Sequence, residues 1–379
     1  FATVKLLLKN DKVDVNFPLI IKSYENESYE NENDEDFDEC MKVKEVTPLI
    51  SAIKQENIEM VRLLLSCENV KVNYYIESKF TNGKCKFDDV DNDNWRSLNV
   101  NGEWKKKSAL IVAVLKGNVE IVRLLLENKR INPNSLYEEI DMKGIESSTD
   151  YFHKNEKTPL NIAVSNRNIE IVKLLLNHEK IDPNICSIKE KDWESFVKEM
   201  SESSDDVIPE IGRFDDRCEL ILSKYKTALN LAIKNCSLNM VKILLENKKV
   251  DINKINYSYL NETIEETALL YAIEKNQIDI VKLLLEQEKI DLNIKCAISD
   301  EEKTTALLYA IDKKNVDIVK LLLEQKNLGL DDKMKAEARE YALQTDNQEI
   351  ISLFKEEEKK MKMMMNKKKI INNNNMIFN

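Results

Sequence analysis

Residues 267–285 read TALLYAIEKNQIDIVKLLL, and this stretch decides the architecture. Thr267 is placed to cap the exposed N–H groups of a first helix. Ala272, five positions later, is small enough to let two helices approach closely. Gln277 marks the start of a second helix, and Asp279 in its first turn complements the helix dipole. Val281-Lys282-Leu283-Leu284-Leu285 then supplies a broad apolar face. Asn293, twelve residues after Val281, ends an extended segment. The unit is helix, tight turn, helix, strand-like tail.

The same offsets recur from Thr47, Ser108, Thr158, Thr227, Thr267 and Thr305. Each start is followed by an alanine (Ala52, Ala113, Ala163, Ala232, Ala272, Ala310) and a valine (Val61, Val122, Val172, Val241, Val281, Val319). The closing position holds Asn73, Asn134, Asn184, Asn253, Asn293 and finally Asp331. Second helices begin at Asn57, Asn118, Asn168, Ser237, Gln277 and Asn315, and the Asn and Ser among them are strong caps. Pro48 and Pro159 suit a first helical position.

The T-P-L-x-x-A signature at Thr47 and Thr158 resembles the ankyrin repeat, whose period near 33 residues only the last spacing, 32, approaches. The resemblance implies an all-α helix-turn-helix solenoid with β-hairpin fingers and long inserted loops. Three features depart from the family pattern. The His after T-P-L is replaced by Ile50, Ile111, Asn161, Asn230, Leu270 and Leu308. The Gly between the helices survives only as Gly117, and Glu56, Arg167, Cys236, Asn276 or Lys314 stand elsewhere. A left-handed backbone there is strained except at Gly and Asn. The loop after the Leu triplet also lacks its Gly, as in Glu246-Asn247-Lys248-Lys249.

This register divides the chain. Residues 1–16 match the second half of a unit, so the chain reads as an N-terminally truncated fragment. Repeats span 47–73, 108–134, 158–184, 227–253, 267–293 and 305–331, and a degenerate capping repeat spans 335–355. Start-to-start spacings of 61, 50, 69, 40, 38 and 32 put the excess residues into insertions. These are 17–46, 74–107, 135–157 and 185–226. The first holds a dense acidic run, Glu25–Glu39, expected to be mobile. The fourth carries Trp193, Phe196, Val197 and Met200 at helical spacing. The long junctions before Asn134 predict an N-terminal half that frays before the units from Thr227 to Phe354. Residues 356–379 are a basic, Asn-rich low-complexity tail, expected to be a frayed helix and then disorder.

Composition excludes much chemistry. Only 6 Gly are present, and neither G-x-G-x-x-G nor a P-loop occurs. Two His (His153 and His178, both expected at the surface) exclude most metal and triad arrangements. A net charge of -11 argues against nucleic acid as a partner. The 7 Cys show no C-x-x-C pair, which fits a reducing, intracellular and cytoplasmic setting. Lys367-Lys368-Lys369 could act as a nuclear signal. The longest apolar run, Leu110–Leu115, is too short to span a membrane. Asp89, Asp91 and Asp93 open like an EF-hand loop, but Asn94 and Val100 stand where Gly and Glu are required. Cys85, between Lys84 and Lys86, has no recognisable base beside it. Asn26-Glu27-Ser28 and Asn261-Glu262-Thr263 match glycosylation acceptors that matter only in a secreted chain. No catalytic residue, metal site or cofactor is expected.

The expected function is a non-catalytic, monomeric protein–protein interaction scaffold. The alternative is a targeting or regulatory region of a larger enzyme or channel. The resemblance implies partner contacts just before each Thr and seven to eight residues after it. These are Lys54, Gln55, Lys107, Lys116, Lys157, Asn166, Lys226, Lys234, Asn235, Glu274, Lys275, Asp312 and Lys313. Lys54, Lys107, Lys116, Lys157, Lys226 and Lys234 would form a basic strip that attracts an acidic segment.

Overall fold

A computed structural model of the chain describes residues 2–10, 12–25, 40–82, 101–143, 151–188, 223–260, 262–299, 302–325 and 332–377. First helices are α2 (Pro48–Lys54), α4 (Ala109–Lys116), α6 (Pro159–Ser165), α8 (Ala228–Lys234), α10 (Ala268–Glu274) and α12 (Ala306–Asp312). Second helices are α1 (Ala2–Leu7), α3 (Ile58–Leu65), α5 (Val119–Glu127), α7 (Ile169–Leu176), α9 (Leu238–Leu245), α11 (Ile278–Leu285) and α13 (Val316–Leu323). The capping pair is α14 (Asp332–Gln344) and α15 (Gln348–Ile377). First helices pack on first helices and second on second, from α2 to α14 and from α3 to α15.

Each first helix starts at the expected hydroxyl. Thr47, Ser108, Thr158, Thr227, Thr267 and Thr305 accept the backbone N–H three residues on, at 3.1–3.4 Å. Asn57, Asn118, Asn168 and Asn315 cap second helices at 3.0–3.1 Å. Ser237 does not, contrary to expectation. The capping hydroxyls sit at ψ between 158 and 168°, whereas Ser237 holds ψ 87°, close to the range of the Asn caps. At that angle the shorter hydroxyl falls short.

The repeated alanines are buried, with Ala232 and Ala272 both 0% exposed, and the six repeated valines lie in one continuous core. Between the helices the backbone is left-handed in every unit: φ is 54° at Glu56, 57° at Arg167, 52° at Cys236 and Asn276, 53° at Lys314 and 73° at Gly117. Asp346 repeats this turn in the capping pair, with φ 54°.

The closing asparagines stitch units together. Asn16, Asn73, Asn134, Asn184 and Asn253 each donate Nδ2 to a backbone carbonyl of the next unit, at 2.6–2.9 Å. Each Oδ1 accepts a backbone N–H two residues beyond that carbonyl, at 2.7–3.0 Å.

The residues between units form antiparallel hairpins: β1 (Leu19–Glu25) with β2 (Cys40–Val46), β3 (Tyr75–Asn82) with β4 (Asn101–Ser108), and β5 (Tyr137–Lys143) with β6 (Tyr151–Lys157). Then come β7 (Ser187–Ile188) with β8 (Ser223–Lys226), and β9 (Asn256–Leu260) with β10 (Glu262–Glu266). Neighbouring hairpins also pair, as in Lys106 opposite Glu138, so β1 to β10 form one sheet in chain order. β11 (Cys296–Ala297) and β12 (Lys303–Thr304) pair separately.

The tail differs from the expected frayed end, because α15 runs for 30 residues to Ile377. It contains neither Gly nor Pro, and all but one residue of Lys355–Lys369 is Glu, Lys or Met, which favour helix. The acidic residues 26–39, the aspartates 89–93, Cys85, the glycosylation acceptors and the apolar residues 193–200 lie outside the described residues.

Candidate protein-binding groove

Because α2 packs on α4, the end of one first helix lies near the finger base that precedes the next. Lys54 therefore lies within electrostatic reach of Lys107 at the end of β4 and Lys44 on β2. Burial first, then the charges of Lys44 and Lys107, pulls Lys54 down to about 8. Among the described residues no carboxylate pairs with Lys54. Its neighbours on β4 are compensated differently. Lys105 and Lys106 reach Glu139 and Glu138 on β5 at 3.0 and 3.2 Å. Lys107 lies 5.2 Å from the centroid of the Tyr137 ring, and Lys106 lies 4.8 Å from that of Tyr75.

In the middle of the array Lys226 lies 3.9 Å from Glu266, at the base of the next finger, and 3.7 Å from the ring centroid of Tyr271. Lys275 pairs with Glu274 at 2.8 Å and lies 5.4 Å from the same ring. Burial pushes the Glu266 carboxyl up to about 7, against the pull of Lys226 and with the help of Glu274. Burial would also raise Glu274, but hydrogen bonds from Lys275 and Glu266 outweigh it and hold that carboxyl below its usual range. Glu266 thus keeps the proton of the pair.

At the C-terminal end Lys313 pairs with Asp312 at 3.5 Å and lies 4.9 Å from the Tyr309 ring centroid. The Tyr341 hydroxyl of α14 donates to Asp312 at 3.1 Å. A hollow of about 440 Å³ opens here between the last finger, α12 and α14.

The remaining sequence-derived positions are dispersed. Gln55, Lys116, Asn166 and Lys234 are exposed at the ends of successive first helices, and Lys157 is half-buried at the end of β6. Asn235 ties units together: its carbonyl accepts from Arg167 at 3.2 Å, and its Nδ2 donates to Val164 at 3.4 Å. Lys44, Tyr271, Tyr309 and Tyr341 escaped the sequence reading. T-A-L-L-Y-A at Thr267 and Thr305 was a usable signal, since a Tyr there combines an apolar body with a polar tip. His178 is half-buried, its Nδ1 accepting from the Lys180 backbone at 3.2 Å. Burial, with the charges of Lys180 and Lys249, lowers its pKa against the pull of Glu179. Among the described residues no cluster of three or more His, Cys, Asp or Glu could hold a metal ion. No helix among them is long and apolar enough to cross a membrane.

The family model for ankyrin repeats in three copies matches residues 1–137, 86–187 and 211–296, and the model for a single ankyrin repeat matches residues 302–333. The chain belongs to the ankyrin repeat family. Ankyrin repeats generally mediate protein–protein interaction and are typically non-catalytic. The position that holds the family's His is filled here mainly by buried side chains, Ile50, Ile111, Asn161, Asn230 and Leu270 among them.

Solved structures similar to this ankyrin chain include the ankyrin repeat domain of Bcl-3, described as a unique member of the IkappaB protein family. It shows 17% identity and a TM-score of 0.45 over 82% of this chain and 98% of that one. The ankyrin repeat protein EF0377 shows 20% identity and a TM-score of 0.40 over 74% and 98%. The Legionella pneumophila effector AnkC shows 12% identity and a TM-score of 0.43 over 94% and 89%. A search of curated proteins finds no match.

Proposed function

We propose that this ankyrin array is a non-catalytic, monomeric scaffold that holds a protein partner on its concave face and finger tips. An acidic segment of that partner lies against the N-terminal units. The reading rests on the convergence of Lys44, Lys54 and Lys107 without a carboxylate for Lys54. Lys54, disfavoured in its charged form by burial and by the charges of Lys44 and Lys107, is satisfied by an incoming anion. The six-lysine strip expected from sequence narrows on this reading, since Lys226 already has Glu266. Ionised carboxylates of the partner fit both the charge and the spread of the lysines. The described free cysteines, Cys67, Cys186, Cys236 and Cys296, support a reducing, intracellular setting.

A fluorescein-labelled hexaglutamate peptide tests this by anisotropy. Lys54→Glu with Lys107→Glu should weaken binding at least roughly tenfold, about 1.4 kcal/mol. Added salt should weaken the wild type. Lys173→Glu with Lys242→Glu, on exposed faces of second helices, should change little. Equal affinity of the two double variants would remove the concave face from the argument.

A further inference from the structure

The opposite end of the groove carries the opposite charge. We propose that the hollow between the last finger, α12 and α14 receives an arginine or lysine side chain of the bound partner. This deepens the reading of the concave face as the binding surface and rests on it.

The hollow has a volume of about 440 Å³ and is walled by two rings, Tyr309 and Tyr341. Glu302 enters from the finger, Asp312 from α12, and Glu337 and Glu340 from α14, against Lys303 alone among the lining cations. Carboxylates scattered only for solubility have no reason to converge from three elements on one concavity. Of the four, Asp312 is engaged by Lys313 and Tyr341. Among the described residues Glu302, Glu337 and Glu340 have no cation paired with them. The Tyr341 hydroxyl records the local field: burial first, then the negative charges of Asp312 and Glu302, holds its proton above the usual tyrosine range.

A guanidinium or ammonium matches the carboxylates and rings of this lining, which outnumber its one cation, Lys303. It can lie against the ring faces and reach carboxylates at the rim, two contacts that reinforce one another where water is partly excluded. An acidic group there would be repelled, and an apolar one would leave the carboxylates unanswered. With Lys44, Lys54 and Lys107 at the other end, the groove is polarised along the stack. Neighbouring helices lie ~8–10 Å apart, so the ends are separated by roughly 40–50 Å. A single extended segment with an acidic stretch and a basic anchor can therefore lie only one way round.

The test uses a fluorescein-labelled heptapeptide of four arginines and three glycines, with anisotropy as readout on the full chain. Wild type should bind saturably, and Glu337→Gln with Glu340→Gln should weaken binding about tenfold. Tyr341→Leu, which leaves the formal charge at neutral pH unchanged, should also weaken it. Glu59→Gln with Glu170→Gln makes the same charge change on second helices and should have little effect. If both Glu→Gln pairs weaken binding equally, the peptide is responding to the net charge of -11 and the site is overturned. Absence of saturable binding overturns it as well. Hexaglutamate binding at Lys54 and Lys107 is scored separately. Its survival alongside a failed arginine peptide discards this inference and keeps the concave-face reading.

Discussion

The Lys226 ammonium lies on the ring of Tyr271, 3.7 Å from its centroid, while also facing the Glu266 carboxyl at 3.9 Å. The two units are joined by a cation shared between a ring and an acid. Because Tyr271 is only 4% exposed, this contact is largely shielded from solvent.

Glu266 makes that contact sensitive to pH. Its proton is retained to about 7 in the folded chain, against an ordinary value of 4.5. Between these values the folded state binds more protons than the unfolded one, so this group's contribution to stability falls as pH rises, and is level above about 7. Glu266→Gln should erase the slope, and its melting temperature relative to wild type should rise from pH 4.5 to pH 8. An equal difference at both pH values would show that the carboxyl is not held neutral.

Lys54 gives the mirror case. Its pKa of about 8 lies below the ordinary 10.5, so the charged form is disfavoured by folding. Lys54→Met should be more stable than wild type below pH 8, and this gain should shrink as pH rises toward 10.5. The same variant should bind hexaglutamate less tightly. A variant less stable than wild type at neutral pH would contradict the absence of an anionic partner.

The left-handed turns carry strain that composition alone can relieve. Lys314→Gly and Glu56→Gly should each raise stability by about 0.5–1 kcal/mol in urea titrations, since Gly accepts positive φ without steric cost. Gly117→Ala should lower it by about 1 kcal/mol. A Cβ there would meet only Asn168 Nδ2, at an ordinary 3.7 Å, so the loss comes from the backbone. Neutral outcomes at all three positions would place the strain elsewhere.

Removing one rung of the asparagine ladder should weaken one junction. Asn184→Ala loses the bonds to the Lys249 carbonyl and the Asp251 N–H. Both groups stay near water, so the expected cost is about 1–2 kcal/mol. Hydrogen exchange should localise the loss to the units on either side of Asn184. A uniform loss of protection along the stack would argue against a junction-specific role.

Ala272→Leu should cost about 1–3 kcal/mol by overpacking the contacts among first helices. Ala272 is 0% exposed, so the added methyl groups have nowhere to go. An unchanged denaturation midpoint would mean that these helices have room to part.

The helical register was legible because each position has one physical task. Thr267 caps, Ala272 admits a neighbour and Val281 fills the core, and all three do so in the structure. The left-handed turn was legible through one surviving Gly117. The fingers were harder to read. Trp104-Lys105-Lys106-Lys107 and Tyr137-Glu138-Glu139 lack the apolar alternation that marks a strand, because cross-strand ion pairs do that work. The contacts between units were harder still. Lys226 and Glu266 belong to different units, and nothing local reveals that they face each other. The tail's helix was underestimated because its Asn content outweighed the Glu-, Lys- and Met-rich stretch before it.

The stack is modular in its helices, each described pair packing mainly on the next, yet the sheet from β1 to β10 is one piece. A load that lifts one finger is handed along the strands to the fingers beside it. On the opposite edge a helix pair can part from its neighbour alone. The molecule thus has continuous strand pairing along one side and separate helix pairs along the other. The long junctions, which by their length alone suggest a loose N-terminal half, also supply paired strands between neighbouring units.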